Sequence, residues 1–389
     1  MLLAAAPDQV EVKYWRAYLS GNKQYGRTSE SSLRTSESSP VTSDSPLATA
    51  ESSPTKFVLP YRPETLSVLE WAESVMPAWQ NRYYLGLIRL NLDDSLKAKA
   101  LFKSCGDLPA EAHFYLTRAK LFEGMEEELV LRDLTRAMTL QPDDWRTWHA
   151  LGAFYARNHA WTQYLEISRK AADKIPGHMI LDFDQAKAEL YTHHYDESID
   201  LLNKLVLLPA EGAREGHEIY RYALILRALD YFRHQRYLKA IKDLEDARKW
   251  PETLGVGRPF ITDERIEDYL TGLCYLQLNQ ADEGAKYFKL VLAYTNDQKP
   301  GWDSPYLLAA LSYKLLNRES EGDHLLTSWM KSQPASPLMM WEVAMYTDNS
   351  AAAQKALERL GWKPEETPWG IGDGQLPIVY EIMNKVAIK

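Results

Sequence analysis

The sequence predicts an all-α solenoid built from antiparallel helix pairs. Two observations carry this. Pro109, Pro142, Pro176 and Pro209 recur every 33 or 34 residues, and Pro300 and Pro334 are again 34 apart. Proline lacks an N–H and clashes with the preceding helical turn, so a breaker at this interval closes a repeated unit. Between breakers, Trp148, Leu151, Gly152 and Tyr155 fall at i, i+3, i+4 and i+7, one face of a helix. A second helix follows through Tyr164, Ile167, Ser168 and Ala171 before Pro176.

Composition sets the outer limits. The chain has 389 residues, 45% of them hydrophobic, and a net charge of -9 from 45 basic and 54 acidic side chains. No basic run interrupts that balance, which argues against a nucleic-acid backbone as partner. No apolar stretch of about 18 residues predicts a membrane span. The opening Met1–Pro7 lacks a basic region and is too short for a secretory signal, which points to the cytoplasm, or to the periplasm if the chain is a fragment. Cys105 and Cys274 are the two cysteines, too few for a disulfide framework or a multi-cysteine metal site.

The unit 145–178 resembles a tetratricopeptide repeat (TPR). Trp148, Leu151, Gly152, Tyr155, Ala171 and Pro176 occupy the places of the TPR signature, while Tyr164 and Ser168 depart from its small-residue and Phe places. Packing between the two helices is therefore expected to differ there. Neighbouring units are degenerate but in register: Leu85, Gly86, Ala98 and Phe102; Phe114, Leu134, Ala137 and Pro142; Ser198, Leu202 and Pro209. Tyr231, Ala240, Leu244 and Ala247 follow, then Gly272, Tyr275 and Phe288, then Tyr306, Tyr313 and Pro334. This gives about seven units over 79–334 and a partial eighth through Ala356. The resemblance implies a TPR-like right-handed superhelical solenoid.

In chain order, residues 1–26 read as a short helical lead-in, the remnant of an upstream repeat, with Tyr14, Trp15 and Tyr18 on a helix from Val10 to Leu19. Methionine 1 then opens a fragment. Residues 27–56 read as a disordered linker or loop. Fifteen Ser or Thr lie within 27–55, and Arg27–Ser32 is repeated as Arg34–Ser39. The array is assigned to 57–361, its first helix opening at Pro60–Thr65 and reaching about Val75. Residues 362–389 read as a turn-rich stretch, Pro368–Gly374, and a last helix over Leu376–Val386 that caps the array. Two inserts break the period, 209–218 and 251–263. Both bear Gly and Pro, and loops inserted on a rigid array often carry function.

Trp250–Phe260, with Glu267–Gly272 after it, resembles the C-terminal helical region of large bacterial proteins whose N-terminal β-rich domain has no known function. That resemblance covers 57–389 and implies that the chain is the helical half of a two-part protein. It also implies a carbohydrate-use context.

Searches for chemistry return structural readings. Gly255-Val-Gly257 lacks a third glycine and a preceding strand, so a shaped loop fits better than a phosphate site. His193 and His194, with Asp182, Asp184, Glu189 and Asp196, have metal-ligand types without the spacing, and belong in a turn between helices. Asp143 and Asp144 precede a helix, where carboxylates cap N–H groups. No Gly-x-Ser-x-Gly elbow exists. Cys105 and Cys274 read as buried thiols, a Cys–His pair formed in space being left to the fold. No catalytic, cofactor or metal residue is therefore assigned.

The resemblance implies a binding face on the first helices. Projection of the register places Tyr115, Phe122, Arg146, His149, Phe183, Lys187, Tyr191, Tyr222, Phe232, Arg233 and Tyr269 on or near that concave face, the alternative being that the aromatics pack between repeats. His149 and Ala153 stand where one TPR class carries a Lys and Asn clamp for peptide C-termini, so that ligand is not expected. Two functions follow. The first is a non-catalytic scaffold holding a protein segment, or a β-rich domain of a larger parent, on an aromatic face. The alternative is a carbohydrate-active enzyme of glycoside hydrolase type, or its sugar-binding helical module, in which some of the 12 Trp and 23 Tyr stack on sugar rings.

Overall fold

The structure, a computed structural model, describes Tyr18 and residues 62–209, 213–298, 306–363 and 375–386. The expected lead-in helix (apart from Tyr18), the Ser/Thr-rich segment, Pro300 and the turn at Pro368–Gly374 lie outside the described residues. Within them the chain is all helix, with no strand.

A 3-10 turn at Pro63–Thr65 leads into α1 (Leu66–Val75). Eight helix pairs follow: α2 (Trp79–Asn91) with α3 (Ser95–Ser104), α4 (Ala112–Phe122) with α5 (Glu127–Leu140), α6 (Trp145–Arg157) with α7 (Trp161–Lys174), and α8 (Met179–Tyr191) with α9 (Tyr195–Leu202). Then come α10 (Glu215–Arg233) with α11 (Tyr237–Ala247), α12 (Arg265–Gln277) with α13 (Ala281–Gln298), α14 (Leu307–Leu315) with α15 (Glu319–Ser332), and α16 (Pro337–Tyr346) with α17 (Ser350–Leu360). A last helix, α18 (Leu376–Lys385), stands alone. The loops within pairs are short, which forces antiparallel neighbours. This is the TPR-type architecture, and Pro109, Pro142, Pro176, Pro209, Pro251 and Pro334 each fall after the second helix of a pair.

Seven of the eight turns inside pairs repeat one geometry. Asp93, His159, His193, Gln235, Asn279, Asn317 and Asp348 all have φ between 53° and 65°, whereas the α4–α5 turn differs, with Glu123 at φ -53°, ψ 131° and Gly124 at φ 74°. The following N–H closes back five residues, as in His194 to the Glu189 carbonyl (2.9 Å) and Asn349 to the Ala344 carbonyl (2.8 Å). These left-handed helix ends satisfy carbonyls that the first helix leaves open. Asp, Asn and His tolerate that conformation better than most residues, because their short side chains bond locally.

Small residues set how closely paired helices approach. A Cβ on Gly86 would lie 2.7 Å from the Phe102 ring, and one on Gly272 would lie 2.6 Å from the Phe288 ring. Gly152 instead faces Tyr164, four residues earlier on its partner helix, and Ser168 is buried nearby. The expected departure in packing is thus a relocated aromatic.

The chain divides into two compact units, the boundary falling inside α6 between Leu151 and Gly152. In the first unit, Tyr83, Phe102 and Phe114 form an aromatic core, with ring centroids 5.1–5.6 Å apart. Tyr18 joins that unit by an edge contact to Trp71. Arg118 on α4 is buried among these rings. Its Nε and one terminal nitrogen each donate to Asp133 of α5 at 2.7 Å, and its other terminal nitrogen donates to the Gly106 carbonyl at 2.6 Å. The second unit buries a longer apolar core that includes the α18 residues Leu376, Ile378, Val379 and Ile382. Helix α18 packs on α10, while its Tyr380 ring meets Trp341 of α16 and Trp362 beyond α17.

Candidate functional site at the two inserts

The projected partner-binding residues separate by burial. In the first unit, Tyr115 is buried and its hydroxyl donates to the Pro109 carbonyl at 2.7 Å, and Phe122 is buried beneath Lys103. Arg146 lies over Trp145, whose ring is 6.0 Å from that of His149. In the second unit, Tyr269 is wholly buried against Phe288. Tyr115, Phe122 and Tyr269 therefore hold repeats together, and a helical period alone does not separate that position from an open inner face. Phe183 and Tyr222 are also largely buried. The structure does bring part of the set together. Lys187 lies over the Phe183 ring and pairs with Asp184 and with Glu215 of α10, at 3.3 and 3.2 Å. Tyr191, its ring tilted 31° against Trp161, faces the same Glu215 and Tyr222, and burial pushes its phenol up. Phe232 is half-buried against Tyr237, and Arg233 is exposed.

A cavity lies elsewhere, between the two inserts that break the period. Leu207 N–H donates to the Thr253 carbonyl at 2.8 Å, joining the inserts across pair five. The approach needs glycine. A Cβ on Gly216 would stand 2.5 Å from the Leu254 carbonyl oxygen, and Gly255 has φ 69° with the Leu208 carbonyl 3.0 Å from where a Cβ would be. The Gly255-Val-Gly257 stretch is thus a shaped loop, following a 3-10 turn at Glu252–Leu254. Phe260 stands fully exposed beyond it.

This cavity, about 480 Å³, is walled by α10, the 255–264 loop, the start of α12 and Gln375. The His217 ring stacks on Trp250 with centroids 3.4 Å apart and planes 9° from parallel. Arg221 donates twice to Glu267, the longer bond 2.7 Å, and also to the Asp263 carbonyl at 3.1 Å. Arg248 pairs with Glu264 (3.1 Å) and Asp268 (2.9 Å), and Arg265 with Asp263 (2.7 Å). Burial, then the Arg221 charge, depresses His217 to about 4, so its ring is neutral near pH 7. Burial lifts Asp268 to about 6 against the pull of Arg248. Gln375 Nε2 donates to Asp263 Oδ2 at 2.6 Å, tying the α18 N-terminus to the wall. The sequence flagged both inserts, but two of the ion pairs in the lattice, Arg248 with Asp268 and Arg221 with Glu267, join residues 20 and 46 positions apart and had no local signal.

The other candidate groups fall into structural roles. His193 and His194 occupy the α8–α9 turn, bonded to Tyr195 and to Thr192 and Glu189. Asp144 Oδ1 accepts from the Arg146 N–H at 3.0 Å just before α6. Cys105 and Cys274 are buried, and burial pushes both thiols up to about 12. Among the described residues no cluster of three metal-ligating side chains forms, and no helix is long and apolar enough to cross a membrane.

No family model matches the chain, and no curated protein matches it. Solved structures similar to it include a tetratricopeptide repeat protein from Parabacteroides merdae, at 16% identity over 79% of this chain and 99% of that one, with TM-score 0.36. Others are Naa15/Naa10 bound to HypK-THB, at 13% identity over 82% and 47% (TM-score 0.43), and PilF of Pseudomonas aeruginosa, at 14% over 62% and 97% (TM-score 0.33). The fold follows from the helix pairs themselves.

Proposed function

We propose that the chain is a non-catalytic scaffold that binds a helical segment of a partner protein on the first helices of its pairs. What supports this reading is the seat of α18. That helix lies against α10 and α16, both first helices of pairs, and buries Leu376, Ile378, Val379 and Ile382 there. A face that holds an amphipathic helix of its own chain has the chemistry to hold another, read by apolar anchors at helical spacing. Each fully buried aliphatic anchor contributes about 1.5–3 kcal/mol before ordering costs. The alternative occupant of that face is the β-rich domain implied by the second resemblance. The enzymatic reading gains no support at the cavity, because Glu267 and Asp263 are both tied to arginines.

The test undocks α18. In a Val379→Asp, Ile382→Asp variant, a labelled synthetic peptide of residues 375–389 is expected to bind with micromolar Kd by fluorescence anisotropy, and much more weakly to the parent chain. No binding by a variant of unchanged helicity would sink the reading.

A further inference from the structure

We propose that a groove on the last helix pair docks an acidic amphipathic helix of a partner protein. This is independent of the first-helix face that holds α18, because it uses other residues. The groove, about 330 Å³, is lined by α15, α16 and α17. Met330, Met340, Val343 and Ala356 supply its apolar lining, and the small, exposed Ala352 lets a docked backbone come close. Methionine side chains adjust to the shape of what packs on them.

The polar groups of the groove decide the charge of its occupant. The Thr347 hydroxyl donates to the Val343 carbonyl at 2.8 Å, and Asn349 Oδ1 accepts from the Ala352 N–H at 3.1 Å, so both are spent on helix ends. Lys355 and Arg359 remain. Both are exposed, and neither pairs with a carboxylate among the described residues. Arg359 Nη1 donates to the Met340 thioether at 3.4 Å, which lays the guanidinium against the apolar lining. A thioether is a weak acceptor, so most of the guanidinium donors stay available. No acidic side chain is among the described residues that line the groove, and Glu358 on the neighbouring stripe of α17 accepts from Gln354 instead. In a chain of net charge -9 this is a local excess of positive charge.

Spacing decides the occupant's shape. Lys355 and Arg359 stand one helical turn apart, about 6 Å, which carboxylates at i and i+4 of a facing helix match. Ala352 to Arg359 covers two turns, about 10 Å, a length that apolar anchors at i, i+3 and i+7 of that helix span. A fatty acid offers one carboxylate to the two cations.

The experiment is fluorescence anisotropy of the full chain with two labelled 18-residue peptides. Both carry leucine at i, i+3, i+4 and i+7, one with glutamate and the other with lysine at the flanking positions. The glutamate peptide is expected to bind saturably with Kd below about 100 μM, and at least tenfold tighter than the lysine peptide. Lys355→Ala, Arg359→Ala is expected to reduce that preference to less than twofold. Ala352→Trp fills the groove and is expected to weaken the glutamate peptide at least tenfold. Far-UV circular dichroism is expected to stay unchanged in both variants, because these side chains are exposed. No saturable binding of the glutamate peptide, equal or tighter binding of the lysine peptide, or undiminished affinity in Ala352→Trp each overturns the proposal. Self-association of the full chain that Ala352→Trp abolishes gives the groove to a second copy, and displacement of the peptide by micromolar dodecanoate gives it to a lipid; either also overturns it.

Discussion

Pair two of the first unit and the junction of pairs five and six in the second both bury an arginine, and they use it differently. Arg118 closes the hairpin it belongs to, with Asp133 on the facing helix and the Gly106 carbonyl around it. Arg221 reaches 46 residues on, to Glu267, and its ion pair walls a cavity. The repeats differ in one respect that matters. Pair two follows the 33-residue spacing of its prolines, whereas pair five is flanked by inserts on both sides. A regular hairpin has no space to spare, so its buried charge is purely cohesive. An insert props neighbouring pairs apart and turns the same chemistry into a lining.

The sharpest way to break this comparison is Asp133→Ala. It strands a buried guanidinium and is expected to cost about 3–5 kcal/mol in denaturant unfolding. Glu267→Ala is expected to cost less, because the Arg221 side chain is 14% exposed, against 2% for Arg118, and water reaches the guanidinium left behind. Equal losses would erase the distinction between the two arginines.

A pH series comes next. Burial raises Glu342, which accepts from Tyr306 N–H at 3.0 Å, to about 8. A carboxyl raised on folding favours the native state below its unfolded pKa of 4.5, and that contribution is lost as pH rises from 4.5 through about 8. A tenfold change in proton affinity is worth about 1.4 kcal/mol. Asp268, raised to about 6, acts in the same direction between 3.8 and 6. His217 has the opposite sign: its depressed pKa removes stability as pH falls from 6.5 through about 4. Between pH 6.5 and 8 the Glu342 slope therefore stands apart, and Glu342→Gln is expected to flatten the unfolding midpoint there.

Gly272→Ala places a methyl against the Phe288 ring and is expected to cost about 1–3 kcal/mol, part of it regained in a Gly272→Ala, Phe288→Leu double variant. The smallest effect is Gln235→Gly. Glutamine is a poor left-handed residue, and relieving it is expected to raise stability by about 0.5 kcal/mol in thermal unfolding.

The paired helices were legible because proline spacing and helical period are local signals, and the unit 145–178 was read residue by residue. The turn at His193 and His194 was read from the sequence, and the others were legible in hindsight only. Asp93, His159, Asn279, Asn317 and Asp348 form a series of short polar residues at one place in the pair, but no single one of them stands out from surface composition. For Tyr115, Phe122 and Tyr269 the sequence left the open face and packing between repeats both in play, because period reports which residues share a side of a helix, not what covers it; all three are buried. Arg118 and Asp133 lie 15 positions apart on two helices, and nothing in the sequence marks them as a pair. The contact of Gln375 with Asp263 spans 112 residues, a distance at which sequence pattern carries no information.

The hydrogen bond from Leu207 to Thr253 has a mechanical side. It fastens the chain ahead of α10 to the chain behind α11, so pair five sits inside a closed loop. Tension entering that pair from both directions is taken up at the clasp, and the two helices within are sheltered from load until it parts.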